Sequence, residues 1–199
     1  MNWERVAAYE ATEEIVGKRE AAVLVPVISR ADGEYLVFTK RADHLGEHPG
    51  QMSFPGGGRE PADADLRETA TREACEEIGL RPEETEIVGQ LDDIPTVTDY
   101  SVRPYVARVP DREYTPDERE VAEIAVLALD DLTDLSNYES ERRDHPLRGS
   151  VRIHFFRVDG FTVWGATGRM LVQFLEIATG WRMPEEADRV VDPDADFPV

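Results

Sequence analysis

A glycine-rich segment followed by a helix with three closely spaced acids is the feature that most constrains this chain. Gly56–Gly58 precede a helical pattern over about residues 63–78, and Gly79 follows it as a C-cap. At 100° per residue, the three acids occupy a helix stripe only about 100° wide. They are Glu73, Glu76 and Glu77. The pattern therefore predicts carboxylates converging beside a flexible glycine turn.

Converging carboxylates predict a metal site. Their mutual repulsion is costly unless a cation neutralises it, and hard oxygen ligands suit Mg²⁺ or Mn²⁺. The glycine-rich segment lets backbone approach the same place, supplying carbonyl oxygens to a metal or N–H groups to phosphate. Arg72 stands one turn before Glu76 and can pair with it. We interpret the segment as a divalent-metal site for phosphate chemistry.

The competing interpretation is a solvated acidic helix face. Acids are so frequent here that the E-x-x-E-E pattern alone is expected roughly twice by chance. Requiring the preceding arginine, the following glycine and the upstream glycine lowers that expectation to the order of 10⁻³. The full combination favours the metal site.

The net charge excludes a generic nucleic-acid binder. The 199 residues include 22 basic and 42 acidic side chains, a net charge of −20, whereas phosphate neutralisation needs a basic surface. We interpret the acidic excess as adaptation to high salt, with an ordinary acidic protein as the alternative. We see no apolar run of membrane-spanning length and no secretory signal, so we expect a cytoplasmic protein without membrane partners. Cys75 is the single cysteine, and we expect it to be a buried small residue.

The remaining sequence predicts alternating strands and helices. We expect a peripheral helix over residues 1–18, a loop over 42–58, an amphipathic helix over 166–179, and a weakly ordered acidic tail over 181–199. The β-branched runs predict strands at 21–28, 35–39, 86–91, 102–109, 121–127 and 152–158. This order predicts an α/β fold with a mixed sheet between helices.

The glycine and acid segment resembles the Nudix box, G-x5-E-x7-R-E-U-x-E-E-x-G-U. It departs in one place, because the strict position of the first glutamate is Ala64 while the nearest acids are Asp63 and Asp65. The spacing Gly57-x5-Asp63-x8-Arg72 is similar to that of the coenzyme A pyrophosphatase subfamily.

An upstream stretch carries the subfamily resemblance further. The chain reads L-G-E-H-P-G-Q-M-S-F-P-G-G over residues 45–57, where the subfamily signature resembles L-R-x-H-x-G-Q-x-S-F-P-G-G. The sequence departs from this signature at Gly46, where the subfamily usually has an arginine. The resemblance covers about residues 19–178 and implies a Nudix-type α/β/α sandwich over residues 19–180.

The resemblance implies hydrolysis of the diphosphate of coenzyme A or its acyl derivatives. The products would be adenosine 3′,5′-bisphosphate and 4′-phosphopantetheine or its acyl form, with Mg²⁺ or Mn²⁺ as cofactor. Pyrophosphatases of ADP-ribose, NADH or another nucleoside diphosphate derivative are the enzymatic alternative, and a non-catalytic ligand-binding module is the other. A monomer and a homodimer both stay open.

The resemblance also implies roles for individual residues. Glu73, Glu76 and Glu77 would hold the metal, with Arg72 beside them. Glu120 is our candidate general base and Glu123 a second one, against an exposed acidic strand edge. The expected substrate-binding residues are Arg41, His48, Gln51, Gly56, Gly57 and Gly58. For Arg41 the alternative is a surface ion pair, and for His48 a solvated loop residue.

Overall fold

The computed structural model describes residues 1–13, 19–45, 50–96, 99–145, 149–192 and 195–197. Four α-helices lie in these ranges: α1 (Trp3–Ala7), α2 (Leu66–Ile78), α3 (Leu129–Thr133) and α4 (Gly165–Ala178). The first seven strands are β1 (Arg19–Arg30), β2 (Gly33–Arg41), β3 (Met52–Ser53), β4 (Gly56–Gly58), β5 (Glu86–Gln90), β6 (Ile94–Pro95) and β7 (Tyr100–Arg108). The others are β8 (Val121–Ala128), β9 (Tyr138–His145), β10 (Gly149–Val158), β11 (Phe161–Trp164) and β12 (Arg189–Val190). None of the helices in the described ranges is long and apolar enough to cross a membrane.

The strands form two sheets. The larger one runs β3-β2-β1-β7-β5, with β4 paired to β1, β6 to β7 and β8 to β2. Strands β1 and β7 are parallel, and the other pairs in this sheet are antiparallel. The smaller sheet runs β11-β10-β9-β12. The mixed sheet is thus centred on β1, which also carries the glycine strand β4.

Alternate side chains of β1 face two different apolar cores. Val25 and Val27 face the core that contains Phe174 of α4 and the inner residues of β10 and β11. Leu24 and Ile28 face the opposite core, which contains one side of α2. Because successive strand residues point to opposite faces, a run that is apolar throughout must be covered on both. The result is the α/β sandwich predicted from the sequence.

The predicted strands and the two long helices are confirmed, with ends shifted by a few residues. Helix α2 begins only at Leu66, because the Asp65 side chain caps its N-terminus by accepting from the amide of Glu68 at 2.9 Å. Gly79 ends it at φ 65°, as its C-cap role requires. The sequence patterns do not predict strands β3, β4, β6, β9, β11 and β12: β3 and β4 lie within the expected loop, and β9 is mostly polar.

The N-terminal helix is shorter than the sequence predicts, and the described part of the C-terminal tail contacts the rest of the chain. Helix α1 ends at Ala7, because the following residues are fixed elsewhere: the Tyr9 hydroxyl and the Thr12 amide donate to the Asp92 carboxylate at 3.0 and 2.7 Å. The rest of the predicted helix, residues 14–18, lies outside the described residues. In the described part of the C-terminal tail, β12 pairs with β9 and the Arg143 guanidinium donates to the carbonyl of Ala195. The weak order expected of this tail stays a prediction.

Candidate active site

The guanidinium of Arg72 is the centre of the acidic site. Its Nε and Nη2 donate to the two oxygens of Asp63 at 2.9 and 3.1 Å, and Nη2 also donates to the carbonyl of Gly58 at 3.1 Å. Its Nη1 donates to Glu73 at 3.0 Å and to Glu76 at 3.1 Å. The expected Arg72–Glu76 pair therefore forms, as one contact of a larger network that joins α2 to β4.

Asp63 is the anchor of this network. Its side chain is only 2% exposed and also accepts from the Glu60 amide at 2.8 Å and the Thr69 hydroxyl at 2.9 Å. The Arg72 guanidinium, with these donors, holds the pKa of Asp63 well below its usual range, and Asp63 raises the pKa of Arg72 in return. Sequence reasoning did not assign this role; the signal was the acid one residue away from the strict Nudix-box position.

Glu73 and Glu77 are withdrawn from solvent without full neutralisation. Burial raises the pKa of Glu73 and raises that of Glu77 to about 8. The charges of Glu73 and Glu120 raise the pKa of Glu77 further, while the Gly56 amide opposes the shift by donating to Glu77 Oε2 at 3.1 Å. The site thus gathers carboxyl groups where burial disfavours their charged form.

Glycines let β4 approach both β1 and α2. A Cβ on Gly57 would stand 2.5 Å from Glu73 Oε1, and one on Gly56 would overlap the carbonyl oxygen of Ala22. Gly56 also has φ +156°, in a region that favours glycine. The backbone of β4 therefore passes directly beside the Glu73 carboxylate, and the role of these glycines toward metal or phosphate stays a prediction.

The segment before β8 brings Glu120 to the site. The Asp117 amide donates to the Glu77 carbonyl at 2.9 Å, and the Ala42 amide donates to the Glu120 carbonyl at 2.9 Å. The charge of Glu120 contributes to the raised pKa of both Glu73 and Glu77. Glu123, the other candidate base, lies on β8 opposite Lys40 and is exposed.

Besides the glycines of β4, the expected substrate-binding residues are Arg41, Gln51 and His48. The charge of Arg41 lowers the pKa of Glu77, so this guanidinium lies within electrostatic reach of the site. Gln51 directly precedes β3, and its side chain reaches the start of α4, where Nε2 would be 3.3 Å from a Cβ on Gly165. His48 lies outside the described residues, as does Gly46.

The donor set suits a divalent cation. Glu73, Glu76 and Glu77 supply hard carboxylate oxygens. The pKa values of Glu73 and Glu77 are raised, chiefly by burial, and a bound cation would favour their charged forms. Over the described ranges, no three acidic, histidine or cysteine side chains are grouped closely enough to enclose an ion. Glu73 and Glu76 turn to Arg72, while Glu77 turns to the Gly56 amide. The residues fit the ion in chemistry, and their side chains would reorient to hold it.

Comparison with known proteins decides the family. The model of the NUDIX domain matches residues 18–148. The chain belongs to the Nudix family. The matched range contains both the α2 acids and Glu120, so the acidic site lies within the Nudix domain.

Relatives of this Nudix chain extend over most of its length. It is 38% identical over 166 residues to the uncharacterized Nudix hydrolase NudL of Enterobacter sp., covering 80% of this chain and 83% of that protein. It is 37% identical over 164 residues to the protein of the same name from Citrobacter koseri, covering 79% and 82%.

A solved structure agrees with the fold. The MutT/nudix family protein of Enterococcus faecalis aligns with a TM-score of 0.52 at 15% identity, over 85% of this chain and 63% of that one. This likeness concerns the fold alone.

Proposed function

We propose that this Nudix protein hydrolyses the diphosphate linkage of coenzyme A or its acyl derivatives, with Mg²⁺ or Mn²⁺. The observation that carries the hydrolase proposal is that Glu73 and Glu77 are withdrawn from solvent beside the Gly56–Gly57 backbone, where Arg72 pairs with Glu73 and the Gly56 amide donates to Glu77. Buried acids with perturbed pKa values in such a setting are typical of functional sites. Family membership supports the same reaction class.

Each residue has a task in this proposal. Glu73, Glu76 and Glu77 would hold the metal, and a bound divalent cation would withdraw charge from the diphosphate oxygens and favour attack by water. Glu120, whose negative charge is felt by Glu73 and Glu77, would accept the proton of the attacking water at its carboxylate. The Arg41 guanidinium would bind a phosphate oxygen. Gln51, with His48 from the same loop, would donate hydrogen bonds to the substrate.

The proposal of coenzyme A as the substrate rests on the loop before the glycine strand β4. Residues 45–57 are similar to the coenzyme A pyrophosphatase signature, with Gly46 as the departure. Two backbone contacts support this proposal: the Arg41 amide donates to the Gln51 carbonyl at 3.0 Å, and the Gly50 amide donates to the Arg41 carbonyl at 3.1 Å. A change in the loop would therefore affect both Arg41 and Gln51.

The test measures release of adenosine 3′,5′-bisphosphate from coenzyme A at high KCl, with Mg²⁺ or Mn²⁺. ADP-ribose and NADH serve as competing substrates, and Glu77→Gln as the inactive control. High KCl is used because a net charge of −20 destabilises the compact state when it is poorly screened. We expect coenzyme A to be turned over in preference and Glu77→Gln to lose this turnover.

Other outcomes would redirect the proposal. Preferred cleavage of ADP-ribose or NADH would support the proposed hydrolase activity and refute coenzyme A as the substrate. A folded protein that binds these compounds and cleaves none would favour the non-catalytic binding module.

A further inference from the structure

A short C-terminal segment packs against the start of α4. Residues 195–197, which we call the strap, include Phe197, whose ring stacks on Trp164 with centroids 4.6 Å apart and an interplanar angle of 40°. Trp164 is the N-cap of α4, and over the described ranges its side chain makes no capping hydrogen bond. Its ring also stacks on Phe155, with centroids 6.1 Å apart. The residue that begins α4 is therefore held by ring contacts, one of them from the strap.

The strap is attached to β9 by Arg143. The Arg143 guanidinium donates to the carbonyls of Ala195 and Asp196, the latter at 3.1 Å, and lies 4.0 Å from the centroid of the Phe197 ring. The Arg143 side chain is buried and pairs with Glu141. Because a buried donor without an acceptor is costly, the strap carbonyls satisfy a group that the fold has already buried. The strap thus has a specific place beside β9.

The start of α4 contacts Gln51, one of the expected substrate-binding residues. Gly165, the first residue of α4, has φ +64°, and a Cβ on it would lie 3.3 Å from Gln51 Nε2. The Gln51 carbonyl accepts from the Arg41 amide at 3.0 Å. Strands β3 and β11, which follow Gln51 and precede Gly165, also lie against each other. A continuous row of contacts therefore joins the strap to Gln51 and Arg41.

The acids of the site are held by a different set of contacts. Arg72 pairs with Glu73 and Glu76, and Asp63 anchors Arg72. These contacts lie on α2 and the segment before it, whereas the contacts of the strap lie on β9 and at the start of α4. Loosening the strap should therefore act on Gln51 and leave the acids in place.

We propose that Phe197 is a positioning residue for substrate binding, which acts through Trp164 to hold the start of α4 against Gln51. The inference rests on the proposed function, in which Gln51 and Arg41 bind the substrate. Packed side chains that connect two places in this way typically change affinity by a modest factor. The role predicts an effect on KM that is separate from kcat.

The experiment compares Phe197→Ala, which removes the ring contact, with Phe197→Tyr, which keeps it. Val190→Ala is the matched control, because Val190 is an apolar residue of the same C-terminal segment, lies in β12 and is 77% exposed. KM and kcat for coenzyme A are measured at high KCl with Mg²⁺. Hydrogen exchange, measured by mass spectrometry without substrate or metal, reports on the peptides that cover Gln51 and the start of α4. Phe197 is itself 40% exposed, so we expect Phe197→Ala to keep the urea midpoint of the wild type.

We expect Phe197→Ala to raise KM about fivefold at unchanged kcat and to speed exchange in both peptides. Phe197→Tyr and Val190→Ala should behave as the wild type in both measurements. An unchanged KM, or unchanged exchange at Gln51, would overturn the inference and leave the hydrolase in place. Faster exchange over the whole chain with a lower urea midpoint would show a general loss of stability and would also overturn it. If the wild type does not cleave coenzyme A, the proposed substrate fails, and exchange at Gln51 alone decides whether the strap holds this residue.

Discussion

Glu77 of α2 and Glu141 of β9 are both withdrawn from solvent, but they differ in how their charge is met. The Glu141 side chain is 3% exposed and pairs with Arg143 at 2.8 Å and with Arg189 at 2.9 Å. Glu77 accepts from the amide of Gly56 while other carboxylates surround it. Two acids on one chain are thus held in opposite electrostatic settings.

The difference in charged partners indicates that Glu141 stabilises the fold and that Glu77 binds a ligand. Removing one partner from a buried, satisfied pair leaves an uncompensated charge, so such a pair is needed for stability. A partly buried carboxylate with few donors costs stability in the free protein and gains its partner from a ligand. The following predictions test this contrast, from the largest expected effect to the smallest.

Glu77→Gln should abolish most activity without loss of stability. We expect kcat/KM for the diphosphate substrate to fall about 100- to 1000-fold, the range seen when one preorganised electrostatic group is removed. The unfolding midpoint in urea should stay the same or rise, because glutamine can still accept from Gly56 and no charge is buried. Glu83→Gln, an exposed acid 69% accessible, controls for the change in net charge. A midpoint lowered by Glu77→Gln would show that this acid is structural, as Glu141 is.

Glu141→Gln should lower the stability of the fold and leave the activity of the folded protein unchanged. Removing this charge leaves Arg143, whose side chain is 6% exposed, without its ionic partner, and breaking a buried pair costs about 3–5 kcal/mol. We expect urea unfolding to show that loss of stability, while the folded fraction keeps its kcat. Glu139→Gln is the matched control on the same strand, since Glu139 is 47% exposed and its ion pairs are 3.5 and 3.6 Å long. If Glu139→Gln lost as much stability as Glu141→Gln, the contrast between Glu77 and Glu141 would be contradicted.

Acid should destabilise the smaller sheet through His154. Burial lowers the pKa of His154 to about 4, with the charges of Arg152 and Arg169 adding to the effect, and its Nδ1 lies 2.9 Å from the Tyr138 hydroxyl. Because the pKa is about 6.5 in the unfolded chain, the unfolded state binds more protons as pH falls from about 6.5 to 4. Stability should therefore decline over that window, by up to about 3 kcal/mol.

The measurement is urea unfolding at a series of pH values for the wild type and two variants. His154→Asn should flatten the decline between pH values of about 6.5 and 4, whereas His44→Gln, a change at an exposed histidine, should keep it. An undiminished slope in His154→Asn would assign the acid sensitivity to other groups.

The sequence predicts the positions of the long helices better than the contacts between residues that are distant in sequence. Periodicity and glycine capping locate α2 and α4, because apolar spacing and chain stops act within a few residues. Strand β9 cannot be predicted in this way: its polar residues Glu141 and Arg143 are buried and paired with each other, and Glu141 also pairs with Arg189 of β12, which is distant in sequence. A pairing of that kind leaves no local periodic signal.

The same limit applies within the acidic site. The stripe of Glu73, Glu76 and Glu77 follows from helix geometry alone. The bracing of Arg72 by Asp63 depends on how the segment between β4 and α2 folds back, with the Glu60 amide and the Thr69 hydroxyl completing the contact. Spacing reveals an acid near the expected position and cannot show that it is the anchor.

Gly57→Ala provides the finest test of the contrast, because it moves a carboxylate without removing its charge. The added methyl group would meet the Glu73 carboxylate at 2.5–2.7 Å, so the side chain must shift. Misplacing a supporting contact typically costs 10- to 100-fold in metal affinity or activity, and we expect about tenfold here because Glu73 is flexible. Gly58→Ala, whose methyl group would lie 3.7 Å from the Tyr100 ring, should lose less. If both variants lose activity equally, backbone freedom along β4 matters more than the placement of Glu73; a loss confined to Gly57→Ala means that the position of this acid, as well as its charge, sets the function of the site.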